Sequence, residues 1–448
     1  MASITLAAAD IARVSSSASQ ILKAVAGSER DAALTAVYKH LEAAKDEILE
    51  ANKRDMAAAE EQATAGKLSR SMIKRLDLNN PGKWEDMLQG ILDVRDLEDP
   101  VGKITLATKL DDGLDLYRLT SPIGVLLVIF EARPEVIANI TALALKSGNT
   151  AILKGGKEST QSFAAIARVV SSALATTSIP PGAIQLVETR EDVNALLDQD
   201  QYIDLVIPRG SNELVRFIKD NTKIPVMGHA DGLCAVYIHE DADEEKTVRV
   251  VLDAKTDYAA ACNSMETLLV HESVSYTIFP KVASALLQAG VSLRCDPASK
   301  QALKSSSLSA AMKAIIQDAT PQDYHTEFLE LTLAIKMVPS VEEAITHINT
   351  HGSGHTDSIL TESKEVAEKF MAVVDSAGVF WNASTRFADG FRYGFGTEVG
   401  ISTNKIHARG PVGLEGLMIY KYQIKGNGQG AGDYGNGKKK YLHQKIEL

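Results

Sequence analysis

Apolar residues recur at helical spacing through residues 1 to about 100, as in DAALTAVYKHLEAAKDEILEANKRDM. Ala, Leu, Lys and Glu dominate there, and the pattern predicts a mostly helical opening. The texture then changes. KITLATKLDDGLDLYRLTSP alternates polar and apolar residues around a turn at Asp111-Asp112-Gly113, which predicts a β-hairpin. From Ile123 the pattern becomes βαβ. GVLLVIF reads as a buried strand, and Pro134 opens a helix, PEVIANITALALKSGN, that Gly148 closes. TAILK is the next strand and STQSFAAIARVVSSALA the next helix. AIQLVE, EDVNALL, YIDLVIP, SNELVRFIKDN and IPVMG continue the alternation, with CAVYIH one more strand before the acidic break DADEE.

A second α/β pattern starts near Lys246. TVRVVLDAKT, IFPKVASALLQAG and VEEAITHIN read as helices, and METLLVH, SLRCD and LAIKMV as strands. Strands alternating with helices predict parallel sheets covered on both faces. A dinucleotide is the first ligand to consider for such a sheet, although fold alone does not fix function. The tail from Gly426 to Lys440, rich in Gly, Asn and Lys, reads as loop. No internal repeat is found.

The length of 448 residues is enough for two or three domains. A formal charge of -11 argues against nucleic acid or an anionic membrane as the main partner, so any anionic ligand must be held by local Lys, Arg or backbone N–H groups. Three cysteines, Cys234, Cys262 and Cys295, cannot all pair and form no CxxC, which fits a reducing compartment. The opening MASITLAAADIARV reads as an amphipathic helix rather than a targeting peptide, and IGVLLVIF is too short to span a bilayer. The expected location is cytoplasmic.

Several motifs invite chemistry. A GxGxxG at Gly430, Gly432 and Gly435 follows no strand and opens no helix, so it reads as low-complexity sequence. His347, His351 and His355 stand four residues apart, but Gly352 and Gly354 break the helix before the third, and no metal site is expected. AILKGGKEST leaves a strand through Gly155 and Gly156 into a helix capped by Ser159 or Thr160. With Lys154 and Lys157 it predicts an anion cradle. VIPRGSNELV repeats the arrangement with Arg209, Gly210 and Ser211. Cys262, in DYAAACNSMETLLVH, sits behind three alanines at a helix-to-strand junction. It is either a buried structural thiol or a nucleophile whose small neighbours leave room for an acyl group. The Cys262 N–H and the Asn263 side chain are possible oxyanion donors. Cys234 and Cys295 lie in apolar strand-like runs and read as structural.

IFEARPEV, LKGGKES, VIPRGSNELV, PVMGHADG, DYAAACNSMETLLVH, EFLELTLAI, HGSGHTDSI, NASTRFADGFRYGFGTEVGIS and RGPVGLEGL span residues 129 to 417. In order and length these stretches resemble the aldehyde dehydrogenase superfamily, in its acyl-phosphate-reducing branch. The resemblance implies a Rossmann-type dinucleotide domain from residues 1–106 and 121–246 and an α/β catalytic domain at 247–390. It adds an oligomerisation flap from 107–120 and about 391–448, in a homodimer or homotetramer. It implies NADPH-dependent reduction of L-glutamyl 5-phosphate to L-glutamate 5-semialdehyde plus phosphate, in proline biosynthesis, through a thioester on Cys262. A glutamate 5-kinase is the implied partner. Glu327, in EFLEL, matches the glutamate that holds the nicotinamide ribose.

Two departures from the wider superfamily bear on the reaction. Oxidising members carry a water-activating glutamate in an E-L-G-G-K motif, where this chain has His229-Ala230-Asp231-Gly232. The P-W-N-F-P motif is replaced by Phe130-Glu131-Ala132-Arg133-Pro134. The first loss argues against the rival reading, an NAD-dependent aldehyde oxidiser. Retention of Cys262 and both loops argues against a catalytically silent scaffold. Where NAD-specific relatives place a ribose-binding glutamate three residues after Lys154, this chain has Lys157, a cation suited to a 2′-phosphate. Arg133, Arg386 and Arg392 are candidates for the substrate's anionic groups, with His355 and Asp357 beside them.

Overall fold

In the computed structural model, which describes residues 7–66, 70–131, 133–187, 190–435 and 438–448, the helical opening forms as its spacing requires. It comprises α1 (Ala8–Leu22), α2 (Gly27–Ala43), α3 (Lys45–Thr64), α4 (Arg70–Leu76) and α5 (Lys83–Asp96). The buried stripe of α2, Ala33, Leu34, Val37 and Leu41, is the i, i+3, i+4 pattern made physical. β1 (Ile104–Asp111) and β2 (Leu114–Pro122) then pair antiparallel, with Asp111 opposite Leu114. Gly113 takes φ +70° in the two-residue turn, which a side chain would strain.

The first parallel sheet follows: β3 (Val125–Phe130), α6 (Val136–Lys146), β4 (Thr150–Lys154), α7 (Thr160–Leu174), β5 (Ile184–Val187), α8 (Arg190–Leu197), β6 (Leu205–Arg209) and α9 (Asn212–Asp220). Its order is β5-β4-β3-β6, all parallel. Val125, Leu127 and Ile129 face a core shared with α1 and α8. Phe130 points the other way, its ring 5.2 Å from Phe163 of α7. The strand order reverses at β3, which places a topological switch between β3 and β6. IPVMG, expected to continue the alternation, forms only a single bridge, Val206 to Val226.

The cap of α7 differs from expectation. Neither Ser159 nor Thr160 supplies it. Asp55 of α3 reaches across 106 residues and accepts from the N–H groups of Gln161 (3.0 Å) and Ser162 (2.7 Å) and from the Ser162 hydroxyl (2.6 Å). A helix start holds several unpaired donors, and a buried carboxylate satisfies more of them than a hydroxyl can.

A second compact unit comprises residues 228–394 and 401–411. It contains β7 (Cys234–Ile238), α10 (Glu244–Thr256), β8 (Met265–His271), α11 (Ile278–Gln288), β9 (Ser292–Cys295), α12 (Pro297–Lys304), α13 (Ala310–Ala314), β10 (Gln317–Asp318), β11 (Thr332–Val338), α14 (Val341–His351), β12 (Thr356–Leu360), α15 (Lys364–Val373) and β13 (Gly378–Trp381). Seven parallel strands run in the order β10-β9-β11-β8-β7-β12-β13. Helices α10 and α11 pack on one face, α14 and α15 on the other. The boundary differs from the expected 246/247. β7 was grouped with the first sheet because it follows it in sequence, yet it lies between β8 and β12. Its run is buried on both faces, so nothing in its own pattern says which sheet owns it.

The chain continues through β14 (Gly400–Ser402) and β15 (Gly410–Val412) to β16 (Met418–Lys425) and β17 (Gln444–Lys445). β16 pairs with β2 and β17 with β1, so the hairpin is the middle of a four-stranded sheet in the first unit. The tail is therefore anchored at both ends of its Gly-rich loop, and Tyr434 donates to Asp111 at 2.8 Å. Gly430, Gly432 and Gly435 lie in that loop, away from any strand-to-helix turn. No helix among the described residues is long and apolar enough to cross a membrane.

The Asp55 cap sets a stability test. Asp55→Ala is expected to lower unfolding free energy by roughly 2 kcal/mol, read from the urea midpoint. An unchanged midpoint would show that the first turn of α7 finds its partners elsewhere.

Candidate active site

Four segments feed the central strands of the second sheet, and all four arrive at the same edge. The strands β12, β7, β8 and β11 are parallel neighbours. His355 immediately precedes β12, His229 lies just before β7, Cys262 just before β8 and Glu327 before β11. Parallel pairing therefore collects residues from across the unit at the amino ends of the strands. One ligating atom from each of His229, Cys262 and His355 lies within 4.8 Å of the other two.

Cys262 is half-buried, whereas Cys234 and Cys295 are buried in β7 and β9. Burial pushes the Cys234 thiol well up, and pushes Cys295 up to about 12. The two thiols expected to be structural are thus sealed, and the third is open. His229 places Nδ1 3.0 Å from the Ile401 carbonyl. A carbonyl only accepts, so Nδ1 carries the hydrogen and a neutral ring keeps its lone pair on Nε2. His355 is buried, with Nδ1 2.9 Å from the Thr356 hydroxyl and Nε2 without a partner. The two imidazoles meet edge to face at 5.1 Å.

The approach of the 228–233 segment depends on Gly232. A Cβ built there would stand 2.0 Å from the Cys262 carbonyl oxygen and 2.7 Å from its Cα. Main chain packs directly on main chain, a contact that sequence inspection of HADG missed; the only signal was a glycine in a short polar run. Burial pushes the Glu327 carboxyl up, opposed by the Gly232 N–H and by His229. Behind it, Lys255 and Glu266 form a fully buried pair at 2.6 Å, and Glu266 accepts from the Leu329 N–H at 3.3 Å. Burial raises Glu266 to about 7 despite the lysine.

Asn263 has a different task from the expected one. Its Nδ2 donates to the carbonyls of Ala388 (3.1 Å) and Arg386 (3.4 Å), and Thr385 donates back to the Asn263 carbonyl at 2.7 Å. The carboxamide fastens the cysteine loop to the 384–388 turn instead of pointing at an oxyanion. That leaves the Cys262 N–H as the expected donor. Arg386 and Arg392 both engage Asp257, Arg392 at 2.9 Å and Arg386 at 3.5 Å. Burial and then Arg392 pull the Arg386 guanidinium down, opposed by Asp257 and by Cys262. The two arginines thus sit beside the cysteine loop but already share one carboxylate. Asp357 is buried in β12, accepting from Ala235 N–H at 2.7 Å and from the Ser376 hydroxyl. Its carboxylate thereby ties β12 to β7 and to the turn at Ser376. The rings of His347 and His351 lie 4.4 Å apart, tilted by 33°, and His351 also meets His325, apart from the His229–His355 pair.

In the first unit the two expected anion cradles are at the carboxyl ends of β4 and β6, on the switch-point side of the sheet. Their helix starts hold the chain's own carboxylates. Asp55 occupies that of α7. Glu131 accepts from Ser211 N–H at 2.8 Å at the start of α9, and Arg209 donates to the Val399 carbonyl at 3.0 Å. Arg209, Gly210 and Ser211 are thereby committed to protein groups, and a Cβ on Gly210 would stand 2.4 Å from the Glu131 carboxylate. Arg133 lies half-buried just past β3. The β4 loop keeps more room for a ligand. Gly155 lets the chain pass the Phe163 ring, which a Cβ would meet at 2.4 Å. Gly156 precedes the short helical turn of residues 157–159, and Lys157 is exposed at its start. Glu158 keeps a buried carboxylate oxygen without a partner. An exposed cation beside an orphaned acceptor has the chemistry to suit a phosphorylated ribose.

Comparison with known proteins gives a consistent picture. Residues 3–328 match the model of the aldehyde dehydrogenase family. A probable gamma-glutamyl phosphate reductase of Schizosaccharomyces pombe is 58% identical over 430 residues, covering 96% of this chain and 95% of that one. The gamma-glutamyl phosphate reductase of Saccharomyces cerevisiae is 54% identical over 450 residues, covering 98% of each. Among solved structures, the gamma-glutamyl phosphate reductase of Thermotoga maritima aligns with a TM-score of 0.88 at 37% identity, over 94% of this chain and 99% of that one.

The main-chain contact at residue 232 gives a direct test. Gly232→Ala is expected to leave the fold intact by circular dichroism. It should change the rate of iodoacetamide labelling at Cys262 by about tenfold or more, because the loop must shift. Unaltered labelling would mean that the two segments are not in register.

Proposed function

The chain belongs to the aldehyde dehydrogenase family, and from that premise we propose that it reduces L-glutamyl 5-phosphate to L-glutamate 5-semialdehyde, with release of phosphate, in proline biosynthesis. The observation that carries the reading is the open Cys262 thiol set among His229 and His355. The names and near-complete coverage of the fungal relatives supply the substrate.

The residues divide the work as follows. His229, with its Nε2 lone pair, accepts the Cys262 proton. The sulfur bonds to the acyl carbon as the carbon–oxygen bond to phosphate breaks, and phosphate leaves with the proton. This gives a thioester on Cys262. NADPH, when bound, supplies the hydride that reduces the acyl group to the aldehyde level. The Cys262 N–H donates to the oxygen on which negative charge builds, and the sulfur departs as thiolate. Lys154, Lys157 and Glu158 hold the dinucleotide by side-chain chemistry, with Lys157 selecting the 2′-phosphate. Glu327 holds the nicotinamide ribose. Arg386 and Arg392 receive the substrate's anionic groups in exchange for Asp257, and His355 contributes from beside the thiol. No water-activating glutamate stands in the 229–232 segment, so the thioester awaits hydride instead of hydrolysis.

The same reading extends to assembly. The four-stranded sheet built on the hairpin exposes Ile419, Tyr420, Tyr422 and Ile424 along β16. An apolar edge strand of this kind is suited to pairing with a second copy, as homodimer or homotetramer. The substrate is an acyl phosphate, a mixed anhydride of a carboxylic and a phosphoric acid, so the reaction that supplies it is a glutamate 5-kinase step, in the cytoplasm.

Phosphate-dependent reduction of NADP by glutamate semialdehyde is the expected reverse activity. Cys262→Ala should lower it by about a thousandfold or more, and Lys157→Glu should raise KM for NADP well above any change in kcat. Steady acid formation from aldehyde and NAD without phosphate would overturn the assignment in favour of an oxidising dehydrogenase.

A further inference from the structure

We propose that His229, Cys262 and His355 form a binding site for a borderline-soft divalent cation, zinc above all, that switches the nucleophile off. The proposal concerns the free enzyme and holds whichever acyl group Cys262 takes.

The donor set comes first. A thiol sulfur and two imidazole nitrogens lie within 4.8 Å of one another. Zinc binds sulfur at about 2.3 Å and imidazole nitrogen at about 2.0–2.1 Å, which puts tetrahedral donors roughly 3.5 Å apart. The donors thus stand about 1 Å farther apart than such a site needs, a gap within the reach of side-chain rotation. Cysteine and histidine select zinc over magnesium or calcium, which need hard oxygen ligands.

The second observation is independent of the cluster's existence. His355 is 1% exposed, and its Nε2 has no partner. A buried imidazole nitrogen left unpaired is costly unless something meets it. The outer contacts also suit a ligand. Nδ1 of His229 is oriented by the Ile401 carbonyl, and Nδ1 of His355 by the Thr356 hydroxyl. Such contacts fix the orientation of each ring.

Three protein ligands leave a fourth position open, the arrangement of an exchangeable rather than a structural site. Binding releases the thiol proton and forms a sulfur–metal bond, so the same sulfur cannot form an acyl bond. The cation and the acyl phosphate therefore exclude each other. The evenly spaced His347, His351 and His355 do not make this site. Of the three, only His355 joins it, and its partners come from segments 93 and 126 residues away, taking 355 − 262 and 355 − 229.

Cobalt(II) is the spectroscopic probe. The purified full chain should take up one equivalent with a near-ultraviolet sulfur-to-cobalt charge-transfer band, and zinc should bleach it. Cys262→Ser should abolish the band. His355→Ala and His229→Asn should each weaken cobalt binding by at least about tenfold, while His347→Ala should leave it unchanged. Zinc should inhibit turnover competitively with the acyl phosphate and be reversed by chelator. The absence of the band in folded protein would overturn the proposal, and so would equal binding by His355→Ala and His229→Asn. Because the band is read without turnover, its failure is separable from failure of the assigned reaction.

Discussion

The second unit is organised around the contact of one stretch of main chain with another. Gly232 lies so close to the Cys262 carbonyl that a single added carbon would overlap it. Everything near the sulfur follows from that approach. It carries His229 to the thiol and presents a backbone N–H to Glu327. It also explains why the cysteine loop is pinned from behind, by Asn263 on the 384–388 carbonyls. Two segments that close have no slack, and a loop free to breathe would lose both neighbours.

Parallel topology does the rest. In an open parallel sheet ligands ordinarily gather at the carboxyl ends of the strands. Here Cys262, His229, His355 and Glu327 sit at the amino ends of β8, β7, β12 and β11, because the segments entering those strands carry them. The first unit follows the ordinary rule, with its loops at the carboxyl ends of β4 and β6. Yet its two helix starts are closed by Asp55 and Glu131. A helix N-terminus attracts an anion, and the nearest available anion is a carboxylate of the same chain. The exposed Lys157 beside the β4 loop is left outside both of these caps.

Much of this was legible in the sequence because it rests on local pattern. The hairpin at 111–113, the alternating strands and helices, and the open surroundings of Cys262 all follow from spacing and residue size. The rest depends on pairings between distant segments. β7 belongs to the second sheet because of its neighbours β8 and β12, which its own apolar run does not specify. Asn263 looked like an oxyanion donor because it adjoins the cysteine, but its amide faces carbonyls more than 120 residues away. Asp55 caps a helix across 106 residues, and His229 joins His355 only through strand order. The motifs singled out Cys262 as the candidate nucleophile, whereas the contacts that surround it emerged only from the fold.

The central claim is that the packing at residue 232 holds Cys262 open as an acyl acceptor. The most direct measurement is peptide mass mapping after the protein meets freshly made L-glutamyl 5-phosphate with no reduced dinucleotide present. The account predicts one glutamyl group per chain, on Cys262 alone, formed in step with one released phosphate and discharged by hydroxylamine. An adduct on another residue, or phosphate release that continues without any adduct, would contradict it.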